Sequence, residues 1–178
     1  MYYGEIKNFD IANGEGVRVS LFVSGCTHHC KNCFNKETWD FSYGKPFTAE
    51  TEELLLSELA PDYIDGLSLL GGEPFEPQNQ AALLPFLRRV KEQYPQKKIW
   101  CYTGYLFDRD LLGESRARCE YTDEMLGLID IMVDGEFVQE LYSITLQFRG
   151  SSNQRIIDVQ KSLEAGGVVP YQPKSGKI

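Results

Sequence analysis

Residues 25–34 read GCTHHCKNCF, and they place Cys26, Cys30 and Cys33 at a C-x3-C-x2-C spacing. The residues before them, 17–23, form an apolar run that predicts a buried strand. Three thiols therefore gather on one loop at the end of a strand. Thiolates are soft ligands that select iron-sulfur clusters, zinc or Cu(I). Because a 4Fe-4S cluster takes four ligands, three cysteines would leave one iron without a protein ligand.

Zinc is the main alternative for this loop. The three cysteines and either His28 or His29 would make a Cys3His site, and the cysteines alone do not exclude it. Structural zinc sites are more usually built from paired C-x2-C units, so the spacing favours an iron-sulfur cluster without settling the choice. The histidines would then serve at most as hydrogen-bond donors near the sulfurs.

Length and composition narrow the class of protein. The chain has 178 residues, which predicts a single domain over 1–178. Its formal charge of -8 disfavours binding to nucleic acid or anionic lipid, and no apolar run is long enough to span a membrane. Residues 1–7 do not resemble a secretory signal, so we expect a cytoplasmic protein. Five cysteines in such a chain favour metal or redox chemistry over disulfides, although Cys101 and Cys119 are expected to be buried or idle thiols.

Apolar runs alternate with helical patterns along the chain. Strands are predicted at 17–23, 66–70, 98–102, 129–133 and 155–159. Helices are predicted over 49–59 after an N-cap at Thr48, from near Asn79, and in parts of 106–127, where Gly113 interrupts the pattern. Residues 164–178 are expected to form a loose tail. This alternation predicts an α/β fold with parallel strands, and the chain is too short for a full eight-stranded barrel of about 250 residues. We therefore predict an incomplete, TIM-type (β/α) barrel.

Polar or glycine-rich stretches follow three of these strands. They are Gly71-Gly72-Glu73-Pro74, Thr103-Gly104-Tyr105 and Asp134-Gly135-Glu136-Phe137. Each is also compatible with an ordinary turn, but carboxyl ends of parallel strands are where such folds place their chemistry. Glycines there would allow a ligand to approach the backbone closely. Arg18 and Asp134 are candidates for lining the same cavity.

The cysteine spacing, together with Gly71-Gly72-Glu73-Pro74 at the next strand end, resembles the radical S-adenosylmethionine (SAM) enzymes. The resemblance implies that Cys26, Cys30 and Cys33 hold one 4Fe-4S cluster and that SAM chelates its open iron. It also implies a set of SAM-binding residues: Asn32, Cys33, Phe34, Gly71, Gly72, Glu73, Thr103 and Gly104. The wider superfamily usually has an aromatic residue where this chain has Asn32, and Phe34 is expected to supply the apolar surface instead.

Four longer stretches are similar to the activating proteins of the anaerobic (class III) ribonucleoside-triphosphate reductase: 13–25, 102–105, 133–137 and 148–158. This resemblance implies a radical SAM oxidoreductase that cleaves SAM with an electron from an external donor such as flavodoxin or ferredoxin. The resulting radical would remove a hydrogen from a glycine of the large reductase subunit, with no catalytic side chain beyond the cluster and SAM. The alternatives are a small radical SAM enzyme acting on a small molecule and a non-catalytic zinc-binding adaptor.

Overall fold

A computed structural model describes residues 1–174 of the chain. These residues form seven strands: β1 (Tyr2–Asp10), β2 (Arg18–Val23), β3 (Lys45–Pro46), β4 (Gly66–Gly71), β5 (Lys98–Tyr102), β6 (Ile131–Asp134) and β7 (Arg155–Asp158). They also form four α-helices: α1 (Ala49–Leu59), α2 (Pro77–Gln93), α3 (Thr122–Leu128) and α4 (Val159–Ala165). Shorter helical turns lie at Lys36–Trp39, Phe107–Leu111 and Gln139–Leu141.

The seven strands form one sheet in the order β3-β1-β2-β4-β5-β6-β7. The central strands β2, β4, β5 and β6 run parallel to one another. In contrast, β1, β3 and β7 pair with their neighbours in antiparallel fashion. The carboxyl ends of the four parallel strands therefore meet at one edge of the sheet. The predicted α/β class is confirmed.

The sheet is open and does not close into a barrel over residues 1–174. After β6 the chain returns as antiparallel β7 instead of crossing over through a helix to another parallel strand. On the other side, β1 is antiparallel to β2 and ends the parallel part of the sheet there. The partial TIM-type barrel predicted from the sequence is therefore not confirmed.

The two faces of the sheet are covered differently. Leu69 and Cys101 belong to the main hydrophobic core, to which α1, α2 and α3 contribute their apolar residues. Trp100 faces the other side, because side chains alternate along a strand, and it packs against Phe148 and Tyr171. The helices therefore cover one face, and the segment after β6 covers part of the other.

Helices α1 and α2 begin at recognisable sequence features. The Thr48 hydroxyl accepts a hydrogen bond from the Thr51 backbone amide, and the Thr51 side chain accepts one from the Thr48 amide, as a capping box requires. Helix α2 begins at Pro77, two residues before the predicted start at Asn79, because proline suits the first helical turn. The predicted apolar stripe of α2 is buried: Leu83, Leu84, Phe86, Leu87 and Val90.

The region 106–127 is only partly helical. It contains the π-helical turn Phe107–Leu111 and then α3, with irregular chain between them. A Cβ atom at Gly113 would lie 2.1 Å from the carbonyl oxygen of Arg109, so a larger residue does not fit this close approach. The next strand begins at Ile131, later than predicted, because Ile129 still caps α3 through its backbone amide.

The C-terminal part of the described chain packs against the sheet. Helix α4 follows β7 directly and contains the start of the tail predicted over 164–178. Beyond α4, the Tyr171 amide donates to the Ile156 carbonyl at 2.8 Å, and the Asp158 amide donates to the Val169 carbonyl at 3.0 Å. Residues 175–178 of the predicted tail lie outside the described residues. Within residues 1–174, the helices are too short or too polar to cross a lipid bilayer.

Candidate functional site

The residues that follow β2, 24–35, form the cysteine loop. Cys26, Cys30 and Cys33 line a cavity of ≈ 510 Å³ to which the ends of β4 and β5 also contribute. This volume lies within the range of about 300–1,000 Å³ that is usual for small-molecule sites. Ligands of open α/β sheets bind outside the carboxyl ends of the strands, and this cavity has that position.

The backbone of the cysteine loop is held by local contacts. The Gly25 amide donates to the Thr38 carbonyl at 2.7 Å, and the Cys33 amide donates to the Cys30 carbonyl at 3.1 Å. His29 and Asn32 both have positive φ angles, 53° and 56°. Both residues therefore have the left-handed backbone conformation that occurs mostly in turns. The three cysteines near them face one cavity.

The glycine pair after β4 lies directly against this loop. The Gly72 amide donates to the Val23 carbonyl at 2.7 Å, and the Glu73 amide donates to the Gly25 carbonyl at 2.8 Å. A Cβ atom at Gly72 would lie 2.6 Å from the Gly25 carbonyl oxygen, which is too close for any side chain. Gly71 and Gly72 both line the cavity. The absence of a side chain at Gly72 is therefore required by the packing of two loops.

The Glu73 carboxylate is buried and accepts hydrogen bonds at both oxygens. Oε1 receives the Thr103 hydroxyl at 2.8 Å and the Phe75 amide at 2.9 Å. Oε2 receives the Gly104 amide at 2.8 Å and contacts His28 Nε2 at 2.9 Å. These contacts occupy both carboxylate oxygens, and the Glu73 backbone is also paired, because its amide donates to Gly25 and its carbonyl accepts from Glu76 and Asn79. Thr103 and Gly104 line the cavity beside it.

His28 connects two carboxylates across the cavity wall. Its Nε2 contacts Glu73, and its Nδ1 lies 2.7 Å from Oε1 of Glu136. Burial alone would lower the pKa of His28, but the hydrogen bonds and charges of Glu73 and then of Glu136 raise it above the ordinary value. The ring also meets the Tyr105 ring edge to face, with centroids 4.4 Å apart. His28 therefore links the cysteine loop to three other segments. The neighbouring His29 instead stacks on Trp39.

The environment of the thiols opposes their ionisation in the absence of a cation. Burial raises the pKa of Cys26 to about 12, and the charges of Glu73 and Glu76 add to this effect. Burial and then the charge of Glu136 raise the pKa of Cys30. Because a metal binds the thiolate, it must displace these protons and compensate the negative charge. A cationic iron centre meets both demands.

The three thiols are arranged as the ligands of an iron-sulfur cluster would be. Each cysteine of an iron-sulfur cluster binds a separate iron, so the thiols need only face the same space. Cys26, Cys30 and Cys33 do face one cavity. Cys101 is fully buried in the core, and Cys119 contacts Thr122 and Gln80.

The remaining predicted residues of the cysteine loop differ in their surroundings. Phe34 lines the cavity and is 65% exposed, with its ring 5.0 Å from that of Phe137 and 5.9 Å from that of Tyr142. Asn32 is not among the lining residues, whereas Asn35 is. The positive φ of Asn32 gives it a conformational role in the turn between two cysteines.

Arg18, which the sequence suggested as a cavity residue, is not among the lining residues. It is the first residue of β2, and β2 carries the cysteine loop at its other end. Its guanidinium is buried and donates to Ser68 Oγ at 2.7 Å and to three backbone carbonyls, those of Glu15, Leu67 and Lys98. The ring of Trp100 covers it at 5.7 Å. Arg18 therefore lies at the end of β2 opposite the cysteine loop, where it holds neighbouring strands together.

Asp134 also lies outside the cavity lining. Its carboxylate is fully buried at the end of β6. It accepts hydrogen bonds from the Phe107 amide at 2.8 Å and from Arg155 Nε and Nη2 at 2.9 and 2.6 Å. The next residue, Gly135, does line the cavity. Successive residues of a strand point to opposite faces. Asp134 and Gly135 therefore differ in role although they are adjacent: the first is a buried carboxylate outside the cavity, and the second lines it.

The far wall of the cavity comes from a segment of which the sequence analysis identified only the part that falls within 148–158. Residues 142–150 are irregular, and several of them line the cavity: Tyr142, Ser143, Ile144, Leu146, Phe148, Arg149 and Gly150. Gln154 anchors this segment, because its Oε1 accepts the Gly150 and Ser151 amides at 2.9 and 3.1 Å. Irregular chain has no periodicity, so only the resemblance of 148–158 to a known family pointed to this region.

Comparisons with known proteins agree with the cysteine site. Residues 12–157 match the family model described as a 4Fe-4S single cluster domain. The chain is 43% identical over 158 residues to the anaerobic ribonucleoside-triphosphate reductase-activating protein of Pasteurella multocida (strain Pm70), which covers 88% of this chain and 96% of that protein. The protein of the same name from Haemophilus influenzae (strain ATCC 51907 / DSM 11121 / KW20 / Rd) is 44% identical, with 88% and 97% covered. That of Escherichia coli (strain K12) is 42% identical over 156 residues, with 86% and 96% covered.

Proposed function

Since this chain belongs to the family of anaerobic ribonucleoside-triphosphate reductase-activating proteins and carries a 4Fe-4S single cluster domain, we propose that it is a radical SAM activase. In this proposal it cleaves SAM reductively and generates a glycyl radical on the large subunit of the anaerobic reductase. The relatives support the reductase as the partner, because their names state that they activate it. The SAM chemistry rests on the cysteine site.

The observation that carries the proposal is the convergence of Cys26, Cys30 and Cys33 on one cavity. Three thiolates would hold a 4Fe-4S cluster and leave one position for SAM. A bound cluster would supply the electron that splits SAM into methionine and a 5'-deoxyadenosyl radical. The protein contributes the position of both groups and a wall that keeps water from the reacting atoms.

Each predicted SAM contact has a chemical reason. Gly71 and Gly72 line the cavity, and a glycine backbone allows the methionyl part of SAM to approach it closely. Thr103 and Gly104 line the cavity at the end of the neighbouring strand. Phe34 offers an apolar ring at the cavity wall for the adenine. We keep Asn32, Cys33 and Glu73 in this set on the family resemblance.

The proposed fold and location follow from the same assignment. We propose that residues 1–178 form one radical SAM domain in which the parallel strands β2, β4, β5 and β6 represent part of a TIM-type barrel. Helices on one face and a cavity on the other support this description. Because the sheet does not close into a barrel, a protein loop that carries the target glycine could enter the cavity from the open side of the sheet. We further propose a cytoplasmic activase that takes electrons from flavodoxin or ferredoxin and does not use nucleic acid.

The test is a reconstitution under anaerobic conditions. Reduced protein, SAM and the large reductase subunit are incubated together, and the glycyl radical is detected by electron paramagnetic resonance (EPR). We expect a radical signal with the wild-type chain and none with Cys30→Ala. SAM cleavage without a glycyl radical would favour a small-molecule enzyme, and one tightly bound zinc without iron would favour the adaptor. Either result would contradict the proposed function.

A further inference from the structure

We infer that the Glu73 carboxylate is a positioning group that fixes the cysteine loop to the ends of β4 and β5 through His28. Its four contacts come from three separate segments of the chain. Phe75 belongs to the turn after β4, Thr103 and Gly104 follow β5, and His28 lies within the cysteine loop. One buried side chain therefore joins the three segments that form this side of the cavity.

A carboxylate is the group that these contacts require. Each oxygen of Glu73 receives two donors, at 2.8 to 2.9 Å. An amide at this position has one oxygen and one NH2 group, so in either orientation its NH2 group would face a backbone N–H donor, that of Phe75 or that of Gly104. Hydrogen bonds to a buried charge are stronger than neutral ones, and leaving a buried donor unpaired is costly. The arrangement therefore selects glutamate over glutamine.

The imidazole of His28 transmits this restraint to the cysteines. The ring packs against Gly104 so closely that a Cβ atom there would lie 2.7 Å from it. Tyr105 and Glu136 contact the ring from other sides. His28 lies two residues from Cys26 and two from Cys30, so fixing its ring restricts the backbone of both. Glu73 thereby acts on the thiols without contacting them.

A second glutamate in the same turn provides a matched control. Oε1 of Glu76 accepts both the Thr27 amide, at 2.9 Å, and the Thr27 hydroxyl, at 2.6 Å. Because one oxygen receives both donors, the amide of Glu76→Gln can keep these hydrogen bonds. Glu73→Gln removes the same charge from the same turn, but its amide cannot keep all four contacts of the carboxylate. The two variants therefore separate the geometry of the carboxylate from its charge.

The experiment measures amide hydrogen exchange and iron release in the full-length chain. We expect exchange at residues 26–33 to be about tenfold faster in Glu73→Gln, the change for one lost hydrogen bond to a charged group. Amides of β5 serve as the internal reference and should not change. Reconstituted Glu73→Gln should also lose iron to a chelator about tenfold faster, and Glu76→Gln should match the wild type in both measurements. Equal acceleration in both variants, or none in Glu73→Gln, would overturn the inference.

A second variant keeps the test decisive if Glu73→Gln does not fold. His28→Phe retains a ring against Gly104 and Tyr105 but cannot reach Glu73 with a nitrogen. We expect the same local acceleration at residues 26–33, and wild-type exchange there would overturn the inference.

The positioning role rests on the proposed function, because it assumes that the loop holds a cluster. A wild-type chain that binds no iron would refute that function. The exchange rates of the variants test the positioning role of Glu73 separately, because they do not depend on bound iron.

Discussion

Arg155 and Asp134 form a two-point ion pair between the antiparallel strands β7 and β6, with Nη2 to Oδ2 at 2.6 Å and Nε to Oδ1 at 2.9 Å. The Asp134 carboxylate is fully buried, whereas the Arg155 side chain is 36% exposed. This contact ties 148–158 to the end of β6. The nearby Gln154 donates to the Gly135 carbonyl at 3.0 Å and strengthens the same connection. The segment thus supports the cavity wall.

Replacing Arg155 with Met should destabilise the protein by about 2 kcal/mol. The buried Asp134 carboxylate would lose its charge partner, but the partial exposure of Arg155 keeps the cost below the ~3–5 kcal/mol of a fully buried pair. Urea unfolding measures the change. The matched control is Arg88→Met, which breaks an exposed ion pair with Glu124 and should cost much less than Arg155→Met. Equal costs for the two variants would contradict the importance of the buried pair.

Replacing Arg18 with Met should reduce stability without weakening SAM binding. The change leaves three backbone carbonyls and the Ser68 hydroxyl without their buried donor, which should cost about 3 kcal/mol. Arg18 lies at the end of β2 opposite the cysteine loop, so the reconstituted variant should keep the wild-type affinity for SAM. Unfolding and calorimetric titration measure the two quantities. A variant with normal stability and no SAM binding would indicate that Arg18 belongs to the SAM site.

Replacing Cys30 with Ala should reduce iron to background after anaerobic reconstitution. The variant lacks one of the three thiols that line the cavity, and a 4Fe-4S cluster with only two protein ligands should not persist. Iron and sulfide analysis gives the result. Cys119→Ala is the control, because Cys119 contacts Gln80 and Thr122 and should not affect the iron content. Full iron in Cys30→Ala would exclude the proposed ligand set.

Replacing Gly72 with Ala should weaken SAM binding about tenfold, equivalent to ~1.4 kcal/mol, and should also lower the iron content. The new Cβ atom would meet the Gly25 carbonyl at 2.6 Å and displace the backbone next to Cys26. Gly127→Ala is the control, since nothing lies within 4 Å of a Cβ atom at that helical position. Titration with SAM and iron analysis are the measurements. Wild-type behaviour of Gly72→Ala would show that the loops do not pack as described.

The sequence predicted the main elements because their patterns are local. Strand β5 is a short apolar run, and the apolar stripe of α2 repeats with the helical period. The location of the cysteine loop followed from its position after β2. The open sheet was less predictable, because the antiparallel direction of β7 depends on pairing with β6 and leaves no mark in the strand itself.

The site was predictable only in part, for a similar reason. The chemistry of the cysteines is intrinsic to their residue type and spacing, whereas His28 and Glu73 meet across 45 positions of the chain. Arginine and aspartate are common ligand-binding residues, which made Arg18 and Asp134 attractive candidates. Their roles depend instead on which end and which face of a strand they occupy. Arg18 begins its strand, and that position already indicated the end opposite the cysteine loop.

The most direct test of the account is the EPR spectrum of the anaerobically reconstituted and reduced chain, recorded with and without SAM. Three cysteine ligands should give the signal of a reduced 4Fe-4S cluster, and SAM should change its shape by binding the iron that lacks a protein ligand. The account predicts both the signal and the change. A chain without an iron-sulfur signal, or with one that SAM leaves unaltered, would contradict it.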